Sequence, residues 1–99
     1  MKVQKINKAK ILLPTAETVE RLSTIEPGVI QCYYDGFLAG DIEYRRINAR
    51  HTQEKALDAY YAGAVELVQL SLGFGKYLYL AIGKKYPRRP IPRPVRIKL

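Results

Sequence analysis

The chain has 99 residues and a mass of 11.3 kDa, which is the size of one small domain. Apolar residues make up 47% and charged residues 26%, so the composition is that of a globular protein rather than a disordered chain. One cysteine excludes an internal disulfide, and with the single histidine it supplies too few soft ligands for a zinc site. The net charge of +8 is carried by the two ends, because residues 1–10 and 76–99 contain no acidic residue.

Neither a secretory signal nor a membrane span is predicted. The lysines of residues 1–10 are not followed by an apolar run before Pro14. The most apolar stretch, residues 67–83, is interrupted by Lys76 and by three glycines. A helix that spans a membrane needs about 20 apolar residues with few charges.

The first predicted elements are a strand and a short helix. Pro14 favours an extended conformation at the residue before it, which predicts a strand over about residues 9–13. Thr15 is a good N-cap, and Val19, Leu22 and Ile25 recur at helical spacing before Pro27. We therefore expect a helix over about residues 15–25.

Residues 29–47 have the composition of a β-hairpin. A run rich in β-branched and aromatic residues ends at Asp35 and Gly36, a pair typical of two-residue hairpin turns. A turn at Ala39 and Gly40 is the alternative, and it would shift the register of the two strands.

The longest predicted element is a helix over residues 52–72. Apolar residues recur there at helical spacing, Thr52 is placed as the N-cap, and Gly73 as the left-handed residue after the helix. Ala56, Ala59 and Gly63 form a stripe of small residues, which predicts close approach by another segment. A neighbour in the same chain is the preferred interpretation, and a homodimer seam is the alternative.

Residues 76–82 are predicted to form a strand, after which the composition changes. Four of the six prolines lie between residues 87 and 94, where they exclude a helix and favour an extended segment. The pattern predicts a single α+β domain, with a mostly antiparallel sheet and one short and one long helix, over residues 1–86. A basic, proline-rich extended segment follows over residues 87–99.

The basic C-terminal region is the main functional signal in the sequence. Lysine and arginine without acidic neighbours neutralise phosphates and give salt-sensitive affinity for nucleic acid. Tyr86 is the one tyrosine retained as a contact candidate. The candidate nucleic-acid-binding residues are Lys84, Lys85, Arg88, Arg89, Arg93, Arg96 and Lys98. The alternative is a protein–protein interaction module, in which residues 95–99 alternate like a strand and add to a sheet.

Enzymatic functions find little support in the sequence. Cys32 lies in a predicted strand, where a lone cysteine is usually a small apolar residue, and no motif places His51 beside a nucleophile. Asp35, Asp41 and Glu43 lie within nine residues, which makes a metal-dependent nuclease the third hypothesis. Turn and surface positions explain these acids more simply, so we expect a protein without catalytic residues, metal or cofactor.

The segments Gln31-Cys-Tyr-Tyr-Asp-Gly-Phe-Leu-Ala-Gly40 and Tyr86-Pro-Arg-Arg-Pro-Ile-Pro-Arg-Pro94 carry a resemblance to a known group of proteins. Over essentially its full length, the chain resembles a small protein of filamentous viruses that infect archaea of hot, acidic springs, the lipothrixvirus group. The resemblance implies a double-stranded DNA virus, the host cytoplasm or virion as location, and tolerance of heat and acid. It transfers no catalytic or binding residue. The expected function is a non-enzymatic viral accessory protein whose partner is nucleic acid or another viral or host protein. In this setting, the alternative is a protein–protein or virion-assembly module that uses the C-terminal segment as an added strand.

Overall fold

Four strands form one sheet in a computed structural model of the chain, which describes residues 8–46 and 48–94. In chain order the strands are β1 (Ile11–Leu12), β2 (Ile30–Gly36), β3 (Val65–Gly73) and β4 (Lys76–Gly83). Their order across the sheet is β1-β2-β4-β3. The β1–β2 pair is parallel, whereas β2–β4 and β4–β3 are antiparallel. The prediction of a single α+β domain with a mostly antiparallel sheet is confirmed.

The helices of the described residues pack against one face of this sheet. They are α1 (Ala16–Glu20), α2 (Leu38–Glu43) and α3 (Ala49–Tyr61), with 3₁₀ turns at Lys8–Lys10 and Leu22–Thr24. Tyr79 and Ala81 are two residues apart on β4, so they face the same side and join the helices in the core. Ala56 and Ala59 are fully buried there, and their small side chains let α3 lie close to the sheet. Within the part of the chain that the structure describes, no helix is long and apolar enough to cross a membrane.

The N-terminal predictions are confirmed with shorter boundaries. The predicted strand is reduced to Ile11–Leu12, and α1 begins after Thr15 as expected. The Thr15 hydroxyl accepts from the backbone N–H of Thr18, and the Thr18 hydroxyl accepts from the N–H of Thr15. The α-helix ends at Glu20, and a 3₁₀ turn continues the chain to Thr24.

The hairpin prediction for residues 29–47 is wrong in its second half. The first strand is present as β2, but its antiparallel partner is β4, and residues 38–43 form α2 instead of a strand. Contacts from β2 and β4 hold this helix in place. The N–H of Leu38 donates to the Tyr79 hydroxyl at 3.0 Å, and the Tyr34 hydroxyl donates to the Asp41 carboxylate.

The long helix predicted over residues 52–72 is also wrong in its second half. Helix α3 begins at Ala49, so Thr52 is a buried residue inside it rather than the N-cap. The helix ends at Tyr61, and Gly63 reverses the chain with a φ of 76°. Residues 65–73 form a strand that pairs with β4, whose predicted strand is confirmed. Gly73 therefore lies at the hairpin between β3 and β4 and is not a helix cap.

Candidate nucleic-acid interface

The seven cations predicted to bind nucleic acid lie in residues 84–98, called the tail below. Some of them bind other parts of the protein, some are free of protein partners in the described residues, and two lie outside the described residues. Arg96 and Lys98 lie outside the described residues, as does the strand proposed for residues 95–99. The five others follow β4 along a segment without helix or strand, residues 84–94. Lys84 is half-buried, and its backbone N–H donates to the carbonyl of Ala64 at 2.9 Å.

Arg88 is engaged with the protein itself. Its guanidinium donates to the carbonyl oxygens of Lys84, at 3.0 and 3.1 Å, and of Ile25. The same group lies 4.6 Å from the centre of the Tyr86 ring. Because these contacts occupy its donors and cover one face of Tyr86, Arg88 connects the tail to the turn before β2.

Arg93 is engaged in the same way at the end of α3. Its guanidinium is 2.7 Å from the Asp58 carboxylate and 4.8 Å from the centre of the Tyr61 ring. Nearby, the N–H of Ile91 donates to the carbonyl of Tyr61 at 2.7 Å. Among the described tail cations, Lys85 and Arg89 are exposed and their side chains make no hydrogen bond or ion pair.

A second basic cluster lies at the opposite end of α3, where no binding residue was predicted. Three arginines and His51 line a cavity of about 440 Å³ together with Ile42 and Asn48. The arginines are Arg45, Arg46 and Arg50. The sequence signal was present, because residues 45–51 contain these four residues and no acidic one. The predicted hairpin over residues 29–47 includes Arg45 and Arg46 but not Arg50 and His51, so it does not bring the four residues together.

The turn between α2 and α3 brings these side chains together. Arg45 and Asn48 adopt left-handed conformations, with φ of 54° and 65°. The N–H of Arg46 donates to the carbonyl of Asp41 at 2.8 Å, and the N–H of Ala49 donates to the carbonyl of Arg46 at 3.2 Å. Helix α3 therefore begins immediately beside α2, and Arg50 and His51 of its first turn lie next to the arginines of the turn.

The cavity is electropositive because three arginines line it and no carboxylate of the described residues does. Within the described residues, the guanidinium groups of Arg45, Arg46 and Arg50 make no hydrogen bond or ion pair, in contrast to those of Arg88 and Arg93.

Two acids on the elements around this cavity, Asp41 and Glu20, are engaged with other groups. Asp41 accepts from the Tyr34 hydroxyl. Burial and that hydrogen bond raise the pKa of Tyr34 to about 12, against the opposing charge of Arg46. Glu20 contacts the His51 imidazole and lies 3.2 Å from the Lys55 ammonium. Hydrogen bonds from His51 and Lys55 lower the pKa of Glu20, and the one from His51 has the larger effect.

The residues of the nuclease hypothesis do not form a metal site. Asp35 lies on β2, whereas Asp41 and Glu43 lie on α2. Across the described ranges, no group of three or more His, Cys, Asp or Glu side chains is placed to hold a metal ion. Cys32 is buried, its thiol donates to the carbonyl of Tyr34 at 3.4 Å, and burial raises the pKa of that thiol.

Comparisons with known proteins identify no relative. No protein-family model matches the chain, and no similar protein is found among curated proteins or among solved structures. The resemblance to lipothrixvirus proteins, and the viral setting that it implies, therefore stay predictions.

Proposed function

We propose that this protein is a non-enzymatic accessory protein that binds nucleic acid, double-stranded DNA in the viral setting that the resemblance implies. The observation that supports the proposal is the gathering of Arg45, Arg46 and Arg50 around one cavity without a protein partner for any of their guanidinium groups in the described chain. Like charges held close together repel, and a bound polyanion relieves that repulsion. The net charge of +8 attracts a polyanion from a distance.

The proposed interface differs from the one expected from the sequence. We assign Arg88 and Arg93 a stabilising role in the fold and not a role in binding nucleic acid, because carbonyl and carboxylate oxygens of the same chain already accept from their side chains. The cations assigned to phosphate contact are Arg45, Arg46, Arg50, Lys85 and Arg89. Each is exposed, and each keeps its side-chain donors free of protein partners in the described residues.

Salt dependence tests this assignment. If five cations meet phosphates of duplex DNA, the logarithm of affinity should fall with the logarithm of salt concentration at a slope near −4.5, about 0.9 for each phosphate. Arg50→Gln should reduce that slope by about 0.9. The measurement is fluorescence anisotropy of a labelled duplex over a series of salt concentrations.

Arg21→Gln is the matched control. It removes the same charge from an exposed arginine that already lies 3.1 Å from the Glu17 carboxylate. The slope should stay unchanged in this variant. Wild-type protein that does not bind duplex DNA at low salt would contradict the proposed function, and equal slopes for the two variants would contradict the assigned surface.

A further inference from the structure

We infer that the cavity lined by Arg45, Arg46, Arg50 and His51 takes a phosphate monoester, such as the 5′-phosphate at the end of a nucleic-acid strand. The inference rests on the proposed function and adds a ligand class to one part of the interface. It follows from the shape of the cavity, its charge and the position of the Glu20 carboxylate.

The shape favours a small ligand over a length of duplex. A volume of about 440 Å³ falls at the low end of the range for small-molecule sites, about 300–1,000 Å³. Such a cavity has room for one phosphate group and the sugar that carries it. A continuous duplex has a convex backbone, so its phosphates can contact the exposed arginines from outside but cannot enter the cavity as a terminal phosphate can.

The charge of the cavity favours a dianion. A phosphate monoester carries about −1.5 to −2 at neutral pH, whereas an internal phosphodiester carries a single negative charge. The monoester also presents three terminal oxygens instead of two. Three guanidinium groups match three oxygens in number, and each is a planar fork that can donate two parallel hydrogen bonds.

His51 separates this cavity from a negative charge. The imidazole also lines a neighbouring cavity, and it contacts Glu20 there. Glu20 lines only that neighbouring cavity, and its carboxylate is also 3.2 Å from the Lys55 ammonium. The carboxylate thus orients His51 without entering the arginine cavity. The cavity also lies at the first turn of the 13-residue helix α3, whose dipole adds positive potential.

The test compares two oligonucleotides of identical sequence that differ only in a 5′-phosphate or a 5′-hydroxyl. We expect the phosphorylated strand to bind the full-length protein at least about tenfold more tightly, as one added charge-assisted hydrogen bond supplies. At constant ionic strength, inorganic phosphate should compete with the phosphorylated strand and leave binding of the hydroxyl strand unchanged. This competition experiment shows which ligand the site needs. Free phosphate competes if the phosphate group alone is bound, and it does not compete if the site also requires the attached nucleotide.

Variants locate the site. Arg46→Lys keeps the charge but removes the planar fork, so it should reduce the preference for the 5′-phosphate, and Arg89→Lys, in the tail, should not. Circular dichroism melting checks that both variants are folded. Equal affinity of wild-type protein for the two oligonucleotides would overturn this inference and leave the proposed function standing. Failure to bind either oligonucleotide at low salt would overturn both.

Discussion

At Gly63 the chain turns with a φ of 76°, and a Cβ there would overlap the backbone carbonyl of Arg89. The sequence pattern predicts this glycine inside a helix, where glycine is destabilising relative to alanine unless another segment packs closely against it. The neighbour is the tail of the same chain, and the glycine lies after the helix, where a left-handed conformation is required. The small-residue stripe is therefore accounted for without a second copy of the protein.

Gly63→Ala separates backbone strain from steric overlap when it is compared with Gly28→Ala. Gly28 has a similar φ of 82°, but a Cβ there would meet nothing within 4 Å. Gly28→Ala should lower the free energy of unfolding by about 1–2 kcal/mol, the cost of a left-handed alanine. Gly63→Ala should lose a further 1–3 kcal/mol or so from overpacking. Denaturant titration measures both free energies of unfolding. Equal losses in the two variants would show that the tail does not pack against Gly63.

Between elements, Glu20 connects the end of α1 to the first two turns of α3. Its carboxylate contacts His51 and lies 3.2 Å from Lys55. These hydrogen bonds lower the pKa of Glu20 below its ordinary value of 4.5. A carboxyl group with a lowered pKa in the folded state stabilises the fold above its unfolded pKa, and this stabilisation is lost as the pH falls through the lowered value.

Glu20→Gln should therefore lower the melting temperature at neutral pH. The difference from wild type should disappear well below pH 4.5, where the wild-type carboxyl group is protonated as well. Glu43→Gln is the control, because Glu43 is exposed and has no ion pair within the described residues. It should change the melting temperature little at either pH. A destabilisation by Glu20→Gln that is independent of pH would contradict an ionic connection between α1 and α3.

At the scale of the whole molecule, residues 84–94 form a strap that runs from the end of β4 onto the helix layer. Arg88 holds it to the carbonyl of Ile25, and Arg93 holds it to Asp58. These contacts join residues that are 63 and 35 positions apart in the chain. The tail expected to be a free binding segment thus contributes to the stability of the fold.

Adjacent arginines in the strap allow its two roles to be measured separately. Arg88→Gln should reduce the free energy of unfolding by about 1.5–3 kcal/mol, because it leaves carbonyl oxygens without their charged donor. Arg89→Gln should change it by no more than about 0.5 kcal/mol, as is usual for a surface side chain without partners. Arg89→Gln should instead flatten the salt dependence of DNA binding, which Arg88→Gln should leave unchanged. The opposite pattern would show that Arg88 faces the ligand and that the strap is not held by it.

The features predicted correctly from the sequence depend on neighbouring residues. The helix start at Thr15 needs only Thr18, and the strand over residues 76–82 follows from its composition and flanking glycines. The two wrong predictions concern residues 38–43 and 62–72, where short apolar patterns are compatible with both helix and strand. The predicted α+β class is still correct, because one error replaces a strand by a helix and the other replaces a helix by a strand within the same layered domain.

Composition and local spacing alone determined the size of the domain, its fold class, its basic ends and the absence of a helix over residues 87–94, the part of the proline-rich segment that the structure describes. Only the tertiary structure decided which strand pairs with β2 and which arginines have protein partners. The partners of Arg88 and Arg93 come from distant parts of the chain, and the cluster of Arg45, Arg46 and Arg50 depends on a turn between two helices. The physical reason is that local propensity acts over a few residues. Burial and charge pairing instead act between segments that meet only when the chain folds.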